Sequence, residues 1–436
     1  MDALSRALEH TLRHNTLPDS PALRQDQQFV LPFYDGLCLS NIVPTVASLL
    51  GAEVPGWRSL DRRLWADLST GVRRVVMIVL DAVGHRQLQR WVKGAPDSLF
   101  ARLAEQGRLA PITSVFPSTT TAALSSLWTG RPPLAHGLIG YELFLKQWGV
   151  VANMIFFSPA HDEGLGVLLD WGLQTASFLA VPTAAQLLAP CGITSRTLIR
   201  SAFLGSPLSQ MFYQGVDELA GHLVASDLWV NLRRMLQHHR DERLFLTAYW
   251  GGVDSILHHY GPGSEQWVAE MRSLAYSIEH EFLRPLSAVD RAGTLLLITA
   301  DHGQIRVPAE RVIRLDQHPA LARNLVVQPC GDPRAAYLYV RPGRLTEVRS
   351  YLDNELGHAF VTVPAAEALQ GGLFGQGPAA PDVEDRAGDL VLLAREDYML
   401  YGQDKEPTLA GRHGGLHAEE MLVPLFLVRL DDLALP

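Results

Sequence analysis

A chain of 436 residues, 47% hydrophobic and 19% charged, has the material for a large core, either in two or three domains or in one large α/β domain with insertions. A formal net charge of -9 with no long lysine or arginine run argues against a nucleic-acid duplex as main partner, although an acidic chain still accepts anionic substrates where metal ions supply local positive charge. Cys38, Cys191 and Cys330 lie too far apart for a disulfide framework or a CxxC knuckle, and no apolar run reaches the ~18 residues of a membrane span, so a soluble cytoplasmic protein is expected.

Residues 1–70 read as an N-terminal extension of helices and loops, opening on a polar amphipathic helix without the basic start and apolar core of a signal peptide. A catalytic domain then runs over 71–436. Its strand candidates are 73–80, 150–157, 243–250, 294–300, 335–340, 390–394 and 424–428. Most are continuous apolar runs, the pattern of strands buried on both faces of a parallel sheet. Helical patterns fall at 96–106, 120–129, 217–239, 264–287 and 344–355. This alternation predicts a doubly wound, mostly parallel α/β sheet flanked by helices. Weak periodicity over 158–215 suggests a lid insertion, and 335–400 a smaller insertion.

In open α/β sheets function gathers at the C-terminal ends of strands. The first strand ends in Asp81, a metal ligand or a helix cap. The strand over 243–250 exits toward Asp254 and His258, four apart and so on one face of a helical turn, which suits either metal ligation or a polar surface turn. The strand over 294–300 exits into Asp301, His302 and Gly303, with capping by Asp301 beside an exposed histidine as the alternative. His413 sits before a glycine pair ahead of the last strand, with His417 four residues on. Together these residues suit two divalent cations with mixed nitrogen and oxygen ligands, zinc foremost and manganese second. His85 is expected on the surface or behind the site.

The run FPSTTTAALSSLWTG, residues 116–130, places four hydroxyls at the start of a helix. A helix N-terminus favours anions, and a hydroxyl beside a metal can be deprotonated and attack phosphorus. Ser118 or Thr119 is expected to cap that helix while a neighbour reacts.

FPSTTTAALSSLWTGRPPLAHG, VDSILHHYGP, ADHG and RHGG, in this order, resemble the alkaline phosphatase superfamily, in particular its nucleotide pyrophosphatase/phosphodiesterase branch and the related phosphonoacetate hydrolase. The resemblance covers about residue 73 to the end. It implies Thr120 as nucleophile, since counting three places from Pro117 and nine back from Thr129 reaches the same residue. It also implies one metal on Asp254, His258 and His413, and a second on Asp81, Asp301, His302 and the Thr120 oxygen. Two positions depart from the branch. Tyr141 stands where an asparagine usually helps to hold a phosphate oxygen, and Thr121-Ala122-Ala123 stands where F-P-N is usual.

The expected activity is metal-dependent phosphodiester or pyrophosphate hydrolysis of a small phosphate ester or nucleotide through a phospho-threonine, with Tyr141 on the substrate. The rivals are a phosphomonoesterase or C–P hydrolase on the same metals, and an inactive metal-binding scaffold or sensor. A dinucleotide oxidoreductase is disfavoured, because the first strand ends in DAVGH instead of a glycine-rich turn. Nine tryptophans are compatible with a homodimer.

Overall fold

The computed structural model describes residues 3–17, 23, 28–162, 164–402 and 408–435. Seven strands form the central sheet, in the order Arg108–Thr113, Leu422–Arg429, Thr294–Thr299, Arg74–Leu80, Leu244–Trp250, Thr194–Arg200 and Glu218–His222. Only Leu422–Arg429 runs against its neighbours; the other pairings are parallel. Arg74–Leu80 and Thr294–Thr299 are buried along their whole length, as their unbroken apolar runs predict for strands covered on both faces. Their adjacent register brings Leu80 and Thr299 to the same edge, where Asp81 and Asp301 emerge.

A second seven-stranded sheet departs from the sequence-based expectation. Its order is Phe360–Pro364, Leu390–Ala394, Ala335–Leu338, Cys330–Asp332, Glu142–Leu145, Val150–Asn153 and Ser158–Pro159, and every pairing is antiparallel. The runs at 150–157, 335–340 and 390–394 therefore belong outside the parallel sheet. They read alike because this sheet too is covered on both faces. Val391 and Leu393 pack into the main core, whereas Leu390, Leu392 and Ala394 pack into a second core with Val348, Leu352 and Leu356.

Three strands of the central sheet escape the periodicity. Arg108–Thr113 and Glu218–His222 are edge strands interrupted by proline or glycine, and Thr194–Arg200, TSRTLIR, has only two apolar residues. Thr194–Arg200 falls inside 158–215, so that part of the expected lid lies within the central sheet. The helical pattern over 217–239 holds only from Ala225 to His238.

Of the stretch 1–70, residues 1–2, 18–22 and 24–27 lie outside the described residues. The remainder packs against the domain. Helix Ala3–Arg13 buries Leu8 and Leu12 and lies on strand Arg108–Thr113, where the Ser5 hydroxyl donates to the Leu109 carbonyl at 3.0 Å. Helix Ile42–Leu49 packs against helix Thr120–Thr129. Thr113 Oγ1 accepts from the Phe33 amide at 3.0 Å, and the Tyr34 phenol accepts from the Phe116 amide at 3.2 Å while donating to the Leu373 carbonyl. No helix among the described residues is long and apolar enough to cross a membrane.

Candidate active site

The hydroxyl run leads into a helix over Thr120–Thr129, closed by Gly130 in the left-handed region at φ 65°. Its hydroxyls are not interchangeable. Ser118 Oγ donates to the Gly415 carbonyl at 2.7 Å, and Thr121 Oγ1 to the Gly140 carbonyl at 2.8 Å. Thr119 occupies the cap position in extended geometry, but its side chain makes no capping bond; it lies beside the buried Asp332 carboxyl. The expected cap by Ser118 or Thr119 is thus absent, because Ser118 is drawn into a bridge with Gly414. The first-turn N–H groups keep their capacity for an anion. Thr120 is half-buried, and its Oγ1 lies 3.2 Å from His302 Nε2.

Two ligand triads adjoin this hydroxyl: Asp81, Asp301 and His302, all buried, and Asp254, His258 and His413, all half-buried. Within each triad the candidate ligand atoms lie within 4.8 Å of one another. Asp254 and His258 stand one turn apart on helix Gly252–Tyr260, with Nε2 to Oδ1 at 3.3 Å. The His302 and His413 rings stack with centroids 3.8 Å apart and join the two triads.

Each histidine is turned the same way. His258 Nδ1 meets the Gly411 carbonyl at 2.9 Å, His302 Nδ1 the Gly303 carbonyl at 3.1 Å and His413 Nδ1 the Ser118 carbonyl at 3.1 Å. A carbonyl only accepts, so each Nδ1 carries a proton, which leaves Nε2 as the nitrogen each ring can offer a metal.

The electrostatics agree. Burial, then Asp301 and Asp254, holds the Asp81 carboxyl well above its ordinary range; burial, then His302 and His258, holds His413 well below its own. Asp81 Oδ1 and Asp301 Oδ2 are buried without hydrogen-bond partners. Crowded carboxylates, crowded imidazoles and orphaned carboxylate oxygens are all resolved together by divalent cations, so the donor set fits metal.

A family model described as type I phosphodiesterase / nucleotide pyrophosphatase matches residues 75–416. The chain belongs to this family, which comprises metal-dependent hydrolases of phosphate esters. Its fold is similar to that of human ectonucleotide pyrophosphatase/phosphodiesterase 5, at 16% identity and TM-score 0.62, over 81% of this chain and 87% of that one. The mouse protein gives 17% and 0.61 with the same coverage. Phosphonoacetate hydrolase from Sinorhizobium meliloti, in complex with phosphonoformate, gives 19% and 0.59, over 82% of this chain and 93% of that one.

Several residues that support the site were not foreseen. The Tyr249 hydroxyl donates to Asp81 Oδ2, and Gln304 Nε2 donates to Asp254 Oδ1 at 2.5 Å. Asp301 Oδ1 accepts from the Ala82 amide at 3.1 Å and the His302 amide at 3.0 Å, so Asp301 also fixes the turn that carries it. Gly303 is needed for close approach: a Cβ there would come 2.0 Å from the Glu419 carbonyl oxygen. His85 is fully buried rather than at the surface, and burial pulls its pKa down to about 3. His417 stands outside both triads; its Nδ1 accepts from the Glu419 amide at 3.2 Å and caps a short helix.

The His413 loop is held from below by a fully buried ion pair. Arg334 Nε and Nη2 reach the two oxygens of Glu420, each at 2.8 Å, and Glu420 Oε1 also accepts from the Gly415 amide at 2.9 Å. Arg334 lies in the turn between two strands of the second sheet, so this pair ties that sheet to the metal-site loop. Tyr141 lies on the same side. Its amide donates to Asp332 Oδ2 at 3.3 Å.

Proposed function

We propose that the chain hydrolyses phosphodiester or pyrophosphate bonds of a small nucleotide-like substrate, with Thr120 as nucleophile and a phospho-threonine intermediate. Asp254, His258 and His413 would hold one divalent cation, and Asp81, Asp301 and His302 another, zinc foremost given three imidazoles among six ligands. When bound, these ions supply Lewis-acid charge that lowers the hydroxyl pKa and neutralises phosphate oxygens.

The carrying observation is the Thr120 hydroxyl at the start of an uncapped helix, 3.2 Å from His302 Nε2. Its oxygen, having released its proton to water, attacks phosphorus in line with the leaving oxygen; the phosphorus–leaving-group bond breaks as the new one forms, and water then cleaves the phospho-threonine and restores the hydroxyl. First-turn N–H groups then face the non-bridging oxygens, where charge gathers. The Tyr141 phenol donates to one of them. A mouse relative of this fold described as inactive carries a single threonine-to-alanine change and binds AMP, which supports a threonine nucleophile and a nucleotide-sized site.

The test is Thr120→Ala with metal content measured alongside turnover of bis-p-nitrophenyl phosphate, p-nitrophenyl phosphate and phosphonoacetate. Metal should stay and turnover fall at least about 10³-fold. A variant keeping more than a tenth of the activity removes Thr120 from the mechanism, and the preferred wild-type substrate separates diester, monoester and phosphonate chemistry.

A further inference from the structure

Gln304 follows the turn Asp301-His302-Gly303 and leads into the short strand Ile305–Arg306, which pairs antiparallel with Gly411–Arg412. Its backbone therefore continues the chain that carries Asp301 and His302, whereas its side chain reaches the other triad. Nε2 donates to Asp254 Oδ1 at 2.5 Å and lies 3.4 Å from the Asp254 carbonyl oxygen. Both of those oxygens accept, so the amide presents its nitrogen to Asp254 and turns its own oxygen away.

The fate of that oxygen shows what the position is for. Gln304 is 2% exposed, and Oε1 is buried with no hydrogen-bond partner among the described residues. It lies against the backbone of Gly411, where a Cβ would come 2.3 Å from Oε1 and 2.3 Å from the Leu257 carbonyl oxygen. A methionine or leucine would fill similar space and leave no orphaned acceptor, so packing does not account for a glutamine here. The bond to Asp254 does.

The same amide is wedged against the segment that orients the two histidines of that triad. The Gly411 carbonyl accepts from His258 Nδ1 at 2.9 Å, the Ala410 amide donates to the His258 carbonyl at 2.7 Å, and His413 follows directly on strand Gly411–Arg412. The stacked His302 and His413 rings join the two triads once, and Gln304 joins them a second time.

We propose that Gln304 is a positioning residue that braces the Asp254 cation site from the turn that carries Asp301 and His302, so that the two sites are built as one unit. The inference rests on the two-cation reading of the triads and adds a division of labour to it: the amide supports the Asp254 site and gives the Asp81 site nothing. A donor behind a ligating carboxylate holds its orientation, and losing such a donor weakens metal binding about 10- to 100-fold.

Zinc affinity, measured by competition with a chromophoric chelator in wild type and Gln304→Met, tests this. Gln304→Met should weaken one zinc equivalent about 10- to 100-fold and leave the other within about threefold. Adding Gln304→Met to Asp81→Asn, in which the Asp254 site is the intact one, should reproduce the loss. Adding it to Asp254→Asn, in which the Asp81 site is the intact one, should give none. Equal weakening of both equivalents, a loss that persists in Asp254→Asn, or no weakening overturns the proposal. Gln304→Leu decides the matter if Gln304→Met does not fold. Wild type that takes up fewer than two zinc ions would overturn the two-cation reading and this inference with it, whereas two zinc ions per chain with Gln304→Met unchanged overturns this inference alone.

Discussion

Replacing Glu420 by glutamine keeps the shape of the Arg334 contact and removes its charge. Both side chains are 0% exposed, so no water can replace what is lost. In wild type the carboxylate accepts three bonds, from Arg334 Nε and Nη2 at 2.8 Å and from the Gly415 amide at 2.9 Å. An amide has one oxygen, so its NH2 faces either Arg334 Nη2 or both Arg334 Nε and the Gly415 amide, and donor then faces donor. Breaking a buried pair on one side costs about 3–5 kcal/mol, because the remaining charge stays buried. That is a large part of the roughly 5–15 kcal/mol that holds a typical domain together. Urea unfolding followed by far-UV circular dichroism should show this loss in Glu420→Gln. Since Gly415 lies two residues from His413, chelator competition should also show weaker zinc binding. The double variant Arg334→Met/Glu420→Leu, which removes both charges, should be more stable than Glu420→Gln. A loss below about 1 kcal/mol in Glu420→Gln would refute the reasoning, since the pair would then not hold the loop.

Tyr249→Phe deletes the hydroxyl that donates to Asp81 and should weaken metal binding about 10- to 100-fold while leaving the sheet intact; an unchanged chelator midpoint would dismiss that role. Burial, then the Arg386 charge, pulls His136 down to about 3 from 6.5, and its ring is committed as a neutral one, with Nε2 at 2.9 Å from Ser126 Oγ and Nδ1 accepting from the Leu138 amide. A depressed pKa means that its contribution is complete above pH 6.5 and is lost as pH falls toward 3, on the order of 5 kcal/mol in all. His136→Asn should therefore show a shallower loss of stability between those pH values, and an identical acid limb would contradict the assignment.

The site was far more legible than the second sheet. Strand ends placed Asp81, Asp254, Asp301 and His302, because a chain leaving a buried parallel strand must expose polar residues at one edge, and the helix over 120–129 was bounded by Pro117 and Gly130. Which ring nitrogen each histidine presents was not legible, since it depends on carbonyls of Gly411, Gly303 and Ser118, distant or neighbouring in sequence but placed only by the fold. Tyr249 was not singled out, because nothing in LFLTAYW separates a packing ring from one whose hydroxyl meets a carboxylate. Arg334 and Glu420 are two ordinary charges until antiparallel pairing of Cys330–Asp332 with Ala335–Leu338 brings the intervening turn under the His413 loop. Continuous apolar runs show burial on two faces but carry no sign of strand direction, which is why the antiparallel sheet was mistaken for part of the parallel one.

The stretch ahead of the family match has a consequence for where this chain can be cut. Tyr34 receives the amide of Phe116, the residue that opens the hydroxyl-rich loop, and Thr113 receives that of Phe33. Cys38 bridges to Thr113, and Ile42, Val43 and Val46 are fully buried in the same core as Ala122, Ala123 and Leu127. A fragment starting at residue 75, where the family match begins, would bare that apolar wall and release the backbone just ahead of Thr120. The limit of the family match is therefore not the limit of the packed core: the N-terminal segment is the floor on which the hydroxyl-rich loop is laid.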